Sequence, residues 1–120
     1  MIMSPIPKKI NFVSMLILEM LSIDDEPLNL ILSEAVVSQD NKNHILPFYH
    51  AEVITQSDIK EAIKDLEQGN LILLLDEQGI PLKNKNIYEV LESNTEWEFW
   101  FRISKKGMEI YESNYSSYFV

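Results

Sequence analysis

A capped amphipathic segment that runs without a linker into a short apolar block constrains this chain more than any other feature. Ile59, Ala62, Ile63 and Leu66 fall at i, i+3, i+4 and i+7, the spacing of one face of an α-helix. Thr55 precedes them and offers a hydroxyl oxygen to the free N–H groups of the first turn. Asp58, three residues on, takes the place of the usual Glu or Gln in a capping box. Gly69 closes the segment and is placed to leave the helix through a left-handed conformation. Leu71–Leu75 follows at once, between Asn70 and Asp76, and reads as a strand. Its partner is Glu96–Ile103, where Trp97, Phe99, Phe101 and Ile103 alternate with Glu98, Trp100 and Arg102 on the opposite face.

The remaining segments surround this unit. Ile10, Val13, Leu16, Ile17, Met20 and Leu21 predict a first helix, with Asn11, Ser14 and Glu19 turned to solvent. Ahead of it, Pro5 and Pro7 predict an extended arm over residues 1–9. Ser22–Glu26 reads as a polar turn, and Pro27 opens a second helix that reaches Val37 with Leu28, Ile31, Leu32 and Ala35 inward. Gln39–Asn43 is a loop by composition. Over Ile45–Ile54, Pro47 opposes a central strand while Phe48, Tyr49, Val53 and Ile54 favour extended backbone. Asp76–Gly79 is a turn, Pro81–Asn86 is polar, and Ile87–Glu92 is too brief for periodicity to separate strand from helix. Ser104 begins a last helix at Lys105, anchored by Met108 and Tyr111 with Ile110 near them, and the aromatic tail Tyr115–Val120 is expected to pack. The expected fold class is mainly α with a small antiparallel β wing (α+β), as a single domain over residues 1–120.

Length and composition narrow the function. A chain of 120 residues, 46% hydrophobic, is long enough to build one core without metal or disulfides. It has no cysteine, which excludes thiolate nucleophiles and cysteine metal clusters. The most apolar early run, Phe12–Leu18, ends at Glu19 and is too short for a membrane span, so a cytoplasmic protein is expected. The formal charge is -9. Acid is concentrated: Glu19, Asp24, Asp25, Glu26, Glu34 and Asp40 lie in a stretch without Lys or Arg, and Glu89, Glu92, Glu96 and Glu98 form another. Such a surface repels phosphate and attracts a cationic partner.

Three pieces of the chain carry a family resemblance: Thr55-Gln56-Ser57-Asp58-Ile59 entering a helix, Leu66-Glu67-Gln68-Gly69-Asn70-Leu71-Ile72 leaving it, and Phe101-Arg102-Ile103-Ser104-Lys105-Lys106-Gly107-Met108 after the second strand. Through them, Thr55–Tyr111 resembles winged helix-turn-helix domains, especially small bacterial regulators of the multiple-antibiotic-resistance and phenolic-acid-response type. Those families end a helix in a leucine, an acidic residue and a glycine before the first wing strand, and set a hydroxyl residue and a glycine three positions apart after the second. The resemblance implies a winged-helix-like fold. It also implies that Gln56, Ser57, Lys60, Glu61, Lys64 and Asp65 lie on or near the helix face that reads the DNA major groove in those families, with Lys83 and Lys85 on the wing. Charge works against that role here, because Glu61, Asp65 and Glu67 outnumber Lys60 and Lys64 and a carboxylate neutralises no phosphate.

Catalytic chemistry finds little support. His44 and His50 are the only imidazoles, and with Glu52 they do not form a set of ligands whose spacing requires convergence. The serines lie at caps and turns, outside any nucleophile elbow. Asp24-Asp25-Glu26 and Asp76-Glu77 lie in turns and lack calcium-loop spacing. Three glycines form no phosphate cradle. No catalytic residue, cofactor or metal is expected.

The leading expectation is therefore a noncatalytic acidic domain that binds a basic protein, in its most specific form an immunity protein or antitoxin that blocks a toxin such as a nuclease. Its contacts would be Glu61, Asp65, Glu89, Glu92, Glu96, Glu98 and Trp100. The alternative is a transcription regulator that binds DNA as a dimer through Gln56, Ser57, Lys60, Lys64, Lys83 and Lys85. A dimer would gather Lys8, Lys9, Lys83, Lys85, Lys105 and Lys106 onto one face.

Overall fold

The computed structural model describes residues 8–41, 45, 54–83, 85–92 and 99–119, and for 8–11 and 35–41 the backbone only. Its elements are α1 (Lys8–Ile23), β1 (Glu26–Pro27), α2 (Leu28–Asn41), α3 (Gln56–Gln68), β2 (Ile72–Leu75), α4 (Ile87–Glu92), β3 (Trp100–Ile103) and α5 (Lys105–Tyr118). The sheet is antiparallel in the order β1-β3-β2, with Phe101 of β3 opposite Leu74 on one side and Glu26 on the other. The fold is mainly α with a small antiparallel sheet, winged-helix-like.

Helix α1 is the centre of the core and corrects two expectations. It packs against α2, α3, α5 and β3, so it is buried on nearly every side: Met15 and Leu18 are covered along with Phe12, Val13, Leu16, Ile17 and Leu21. A helix apolar all round is one that neighbours enclose. Glu19, expected in solvent, is 6% exposed for the same reason. Lys8 and Lys9, expected in an extended arm, belong to the first turn of α1; the rest of the arm lies outside the described residues.

The turn expected at Ser22–Glu26 ends in a third strand instead. Glu26 and Pro27 pair with Phe101 and Trp100, and the N–H of Leu28 donates to the carbonyl of Phe99 at 3.0 Å. Pro27 is tolerated because β1 is an edge strand, where a missing donor breaks no central ladder. Helix α2 then begins at Leu28, burying Leu28, Ile31 and Leu32.

Helix α3 forms as its sequence requires. The Thr55 hydroxyl accepts from the Asp58 N–H at 3.2 Å, and the Asp58 carboxylate accepts from the Thr55 N–H at 2.9 Å. Ile59, Ala62, Ile63 and Leu66 are buried. Its exit differs from expectation. Gly69 has φ of -84°, and Asn70 takes the left-handed conformation at 62°. The Asn70 N–H donates to the Glu67 carbonyl and the Leu71 N–H to the Leu66 carbonyl, which makes a Schellman ending with asparagine in the position glycine usually holds.

That ending seats the last helix. The carbonyls of Gly69, Asn70 and Leu71 accept, in order, from Lys106 Nζ (3.3 Å), Ser104 Oγ (2.7 Å) and the Ser104 N–H (3.0 Å). Ser104 Oγ also accepts from the Gly107 N–H at 3.0 Å and so caps α5. Tyr111, Tyr115 and Tyr118 pack on the core and Phe119 is fully covered, whereas Ile110 faces out. Ile45 forms a bridge with Phe119 and Ile54 is buried; the other residues of Ile45–Ile54 lie outside the described set.

Candidate interaction surface on α3 and α4

The ambiguous segment Ile87–Glu92 is a helix, and its position decides what α3 can offer a partner. Asn86 starts α4: its Oδ1 accepts from the Tyr88 N–H at 2.8 Å, and its carbonyl accepts from the Val90 N–H at 3.2 Å. Ile87, Val90 and Leu91 point inward at helical spacing. Tyr88, Glu89 and Glu92 are therefore left outside. The helix lies beside α3 and forms with it an open cleft of about 310 Å³ lined by Lys60, Glu61, Lys64, Tyr88, Leu91 and Glu92.

Within the cleft the cations of α3 are partly used up. Lys64 Nζ donates to Glu61 Oε2 at 2.5 Å and stands 5.0 Å over the Tyr88 ring. The hydrogen bond to Glu61 raises the Lys64 pKa, with partial burial opposing and the charges of Glu61, Tyr88 and Asp65 adding to it. The ammonium stays charged, but its charge is taken up by Glu61 and the face of the Tyr88 ring. Tyr88 is held in turn by Gln68, whose Nε2 donates to the phenol oxygen at 3.2 Å. Lys60 is half-buried, while Gln56, Ser57, Glu61 and Asp65 are exposed.

The structure thus brings Lys60, Glu61, Lys64 and Glu92 together and adds Tyr88 and Leu91, which were not among the expected contacts. The sequence carried no decisive signal for them, because six residues are too few for periodicity to fix the helix that sets Tyr88 on its outer face and Leu91 at the edge of its inner one. Lys83 and Lys85 are exposed beyond the turn after β2, and Lys85 Nζ lies 5.6 Å over the Phe99 ring. Trp100 is half-buried and lines a different cavity, with Asp24, Asp25 and Arg102. Glu96 and Glu98 lie outside the described residues, as do His44, His50 and Glu52. Among the described residues no group of three or more His, Asp or Glu side chains is placed to hold a metal ion, and no helix is long and apolar enough to cross a membrane.

No family model and no curated protein matches the sequence. A solved structure of a transcriptional regulator from Clostridium thermocellum is similar to this chain over 95% of its length and 87% of the other's, with a TM-score of 0.59 and 16% identity. At that identity the likeness establishes the fold. It assigns no role to an individual side chain.

Proposed function

We propose that this chain is a noncatalytic transcription regulator that binds DNA as a dimer. The supporting observation is the similarity of fold to a transcriptional regulator over 95% of the chain. In this reading Gln56 and Ser57, exposed in the first turn of α3, meet base edges, and Lys60, Lys83 and Lys85 meet phosphates. With a formal charge of -9, long-range attraction to DNA is absent, so affinity depends on a second subunit doubling these few cations.

The test is fluorescence anisotropy of the purified protein with DNA from upstream of its own gene and with a scrambled duplex, over about 50 to 200 mM salt, a range in which phosphate contacts weaken steeply. Specific binding is expected, with the salt slope falling by about 2 for each of Lys83 and Lys85 that is replaced by Gln, one contact from each subunit. Equal affinity for the scrambled duplex, or none at the lowest salt, rules the reading out.

One observation favours a second reading. At the α3–α4 cleft Lys64 and Glu61 cancel each other in an ion pair while Glu89 and Glu92 stay exposed, which suits a basic protein better than a phosphate backbone. An immunity protein or antitoxin is its most specific form. Capture of one basic protein at 1:1 stoichiometry, lost in a Glu61→Gln/Glu92→Gln variant, would replace the regulator reading with this one.

A further inference from the structure

A second cavity, of about 340 Å³, lies on the sheet face opposite Phe101 and shares no residue with the α3–α4 cleft. Trp100 forms part of its wall, with Asp24, Asp25, Glu77, Gly79 and Arg102 around it. Arg102 is committed to Asp25: Nε lies 3.2 and 3.1 Å from the two carboxylate oxygens and Nη2 lies 2.8 Å from one of them. This bidentate pair cancels one charge of each sign. Asp24 and Glu77, both exposed, are left with no cation at the rim among the described residues. The cavity therefore combines an aromatic wall with net negative charge, which suits an ammonium or guanidinium group.

Two exposed isoleucines adjoin rim residues along the chain. Ile23, next to Asp24, is 80% exposed, and Ile80, next to Gly79, is 59% exposed. Ile80 is held outward by the turn, where its N–H donates to Asp76 Oδ1 at 3.0 Å and its carbonyl accepts from the Asp76 N–H at 2.9 Å. Isoleucines beside an acidic aromatic pocket make a surface with more reach than a small cation needs.

We propose that this surface docks a basic segment of a partner protein. One Arg or Lys of that segment enters beside Trp100 and meets Asp24 and Glu77, and its apolar neighbours rest on Ile23 and Ile80. Charge complementarity commits the site to a cationic partner and excludes nucleic acid, which carries the same sign as the rim. The proposal does not depend on the α3 reading, whose failure would leave it standing.

The experiment follows the assigned indole N–H signal of Trp100 by NMR during titration of the full chain with a blocked Leu-Arg-Leu peptide. A saturable 1:1 shift is expected. Asp24→Asn/Glu77→Gln should weaken it at least about tenfold. The amide introduced at position 24 keeps a side-chain oxygen to accept the Asp25 N–H, a bond of 2.8 Å to Asp24 Oδ1 in the parent, while the charge is lost. Ile23→Ser/Ile80→Ser should also weaken it, and Glu61→Gln/Glu92→Gln should leave it unchanged. Three results would overturn the proposal: a Trp100 signal that does not move, equal weakening by the two acidic pairs, or arginine amide alone binding as tightly as the peptide.

Discussion

Helices α3 and α5 begin alike and are held differently. Each has a hydroxyl N-cap in extended conformation, Thr55 or Ser104, bonded to the N–H three residues on. After that turn they diverge. Helix α3 buries four side chains, so its attachment is apolar burial spread over its length. Helix α5 has one fully buried residue, Gly107, which has no side chain, and beyond it the half-buried Tyr111, Tyr115 and Tyr118 rest on the core. Its first turn instead lies against the backbone where α3 passes into β2, with three consecutive carbonyls accepting from Ser104 and Lys106. The first turn of α5 is thus fixed by close approach of backbone, while its tyrosines hold the rest, and an attachment of the first kind depends on single atoms in a way that a buried face does not.

The strongest test of that contrast is Gly107→Ala. A Cβ at Gly107 would sit 2.0 Å from the Leu71 carbonyl oxygen and 2.9 Å from Ile103 Cγ1. Neither the strand end nor the helix can yield without losing the hydrogen bonds between them. We expect a loss of at least about 3 kcal/mol in urea unfolding, at the upper end of overpacking effects. Gly69→Ala is the control on the α3 side, because there the added Cβ comes tightest against the Asp65 carbonyl oxygen, at 3.3 Å, in a backbone conformation open to any residue. A Gly107→Ala variant as stable as Gly69→Ala would show that α5 is not held by this approach.

A smaller effect compares the caps directly. Thr55→Ala removes a helix cap at an exposed site and is expected to cost about 1 kcal/mol. Ser104→Ala removes a cap and, in addition, the hydroxyl donor to the Asn70 carbonyl. About 2 kcal/mol is expected for it. Equal losses would reduce the Ser104 contact to ordinary capping.

The same distinction explains what the sequence disclosed. Local features were legible because their partners lie within a few residues: the Thr55 and Asp58 box, the buried face of α3, the Asp76–Gly79 turn and the Ser104 cap. The two spacings behind the family resemblance also have a structural meaning, since Leu66 to Gly69 builds the ending whose carbonyls seat Ser104 to Gly107. Features created by distant neighbours were not legible. Glu26–Pro27 becomes a strand only because Phe101 and Trp100 are beside it, Glu19 is buried by helices that pack around α1, and Lys64 is drawn over Tyr88 of α4. The left-handed residue is Asn70 rather than Gly69, because a glycine signals permissive backbone without fixing which residue must use it. Of the candidate site, the exposure of Glu61 and Asp65 follows from the phase of α3, whereas that of Glu89 and Glu92 required the helix at Ile87–Glu92 to be seen, and the separation of Trp100 from them required the sheet register.

The smallest expected effect concerns pH and separates α3 from α5. Glu67 lies in the last turn of α3, near the carbonyl end of the helix dipole, and burial raises its pKa above the ordinary 4.5. The folded chain therefore holds this proton more tightly than the unfolded chain does. Stability from this group is present below the unfolded value and is lost as pH rises from there through the folded value. Glu67→Gln removes the titration and the unfavourable charge, so the variant should match the parent near about pH 4, exceed it slightly at about pH 7, and narrow the difference in Tm between those conditions. Helix α5 supplies a contrast: two of its half-buried tyrosines, Tyr111 and Tyr118, are raised from 10.0, chiefly by burial, and do not titrate in this range. Glu26, raised first by burial and then by Glu34 and Asp24, changes stability in the same direction as Glu67, so the Glu26→Gln/Glu67→Gln pair should show a larger change than either alone. A Glu67→Gln variant that loses stability at about pH 7 would mean that the carboxylate makes a favourable contact when charged, and that the end of α3 is held by more than its Schellman bonds.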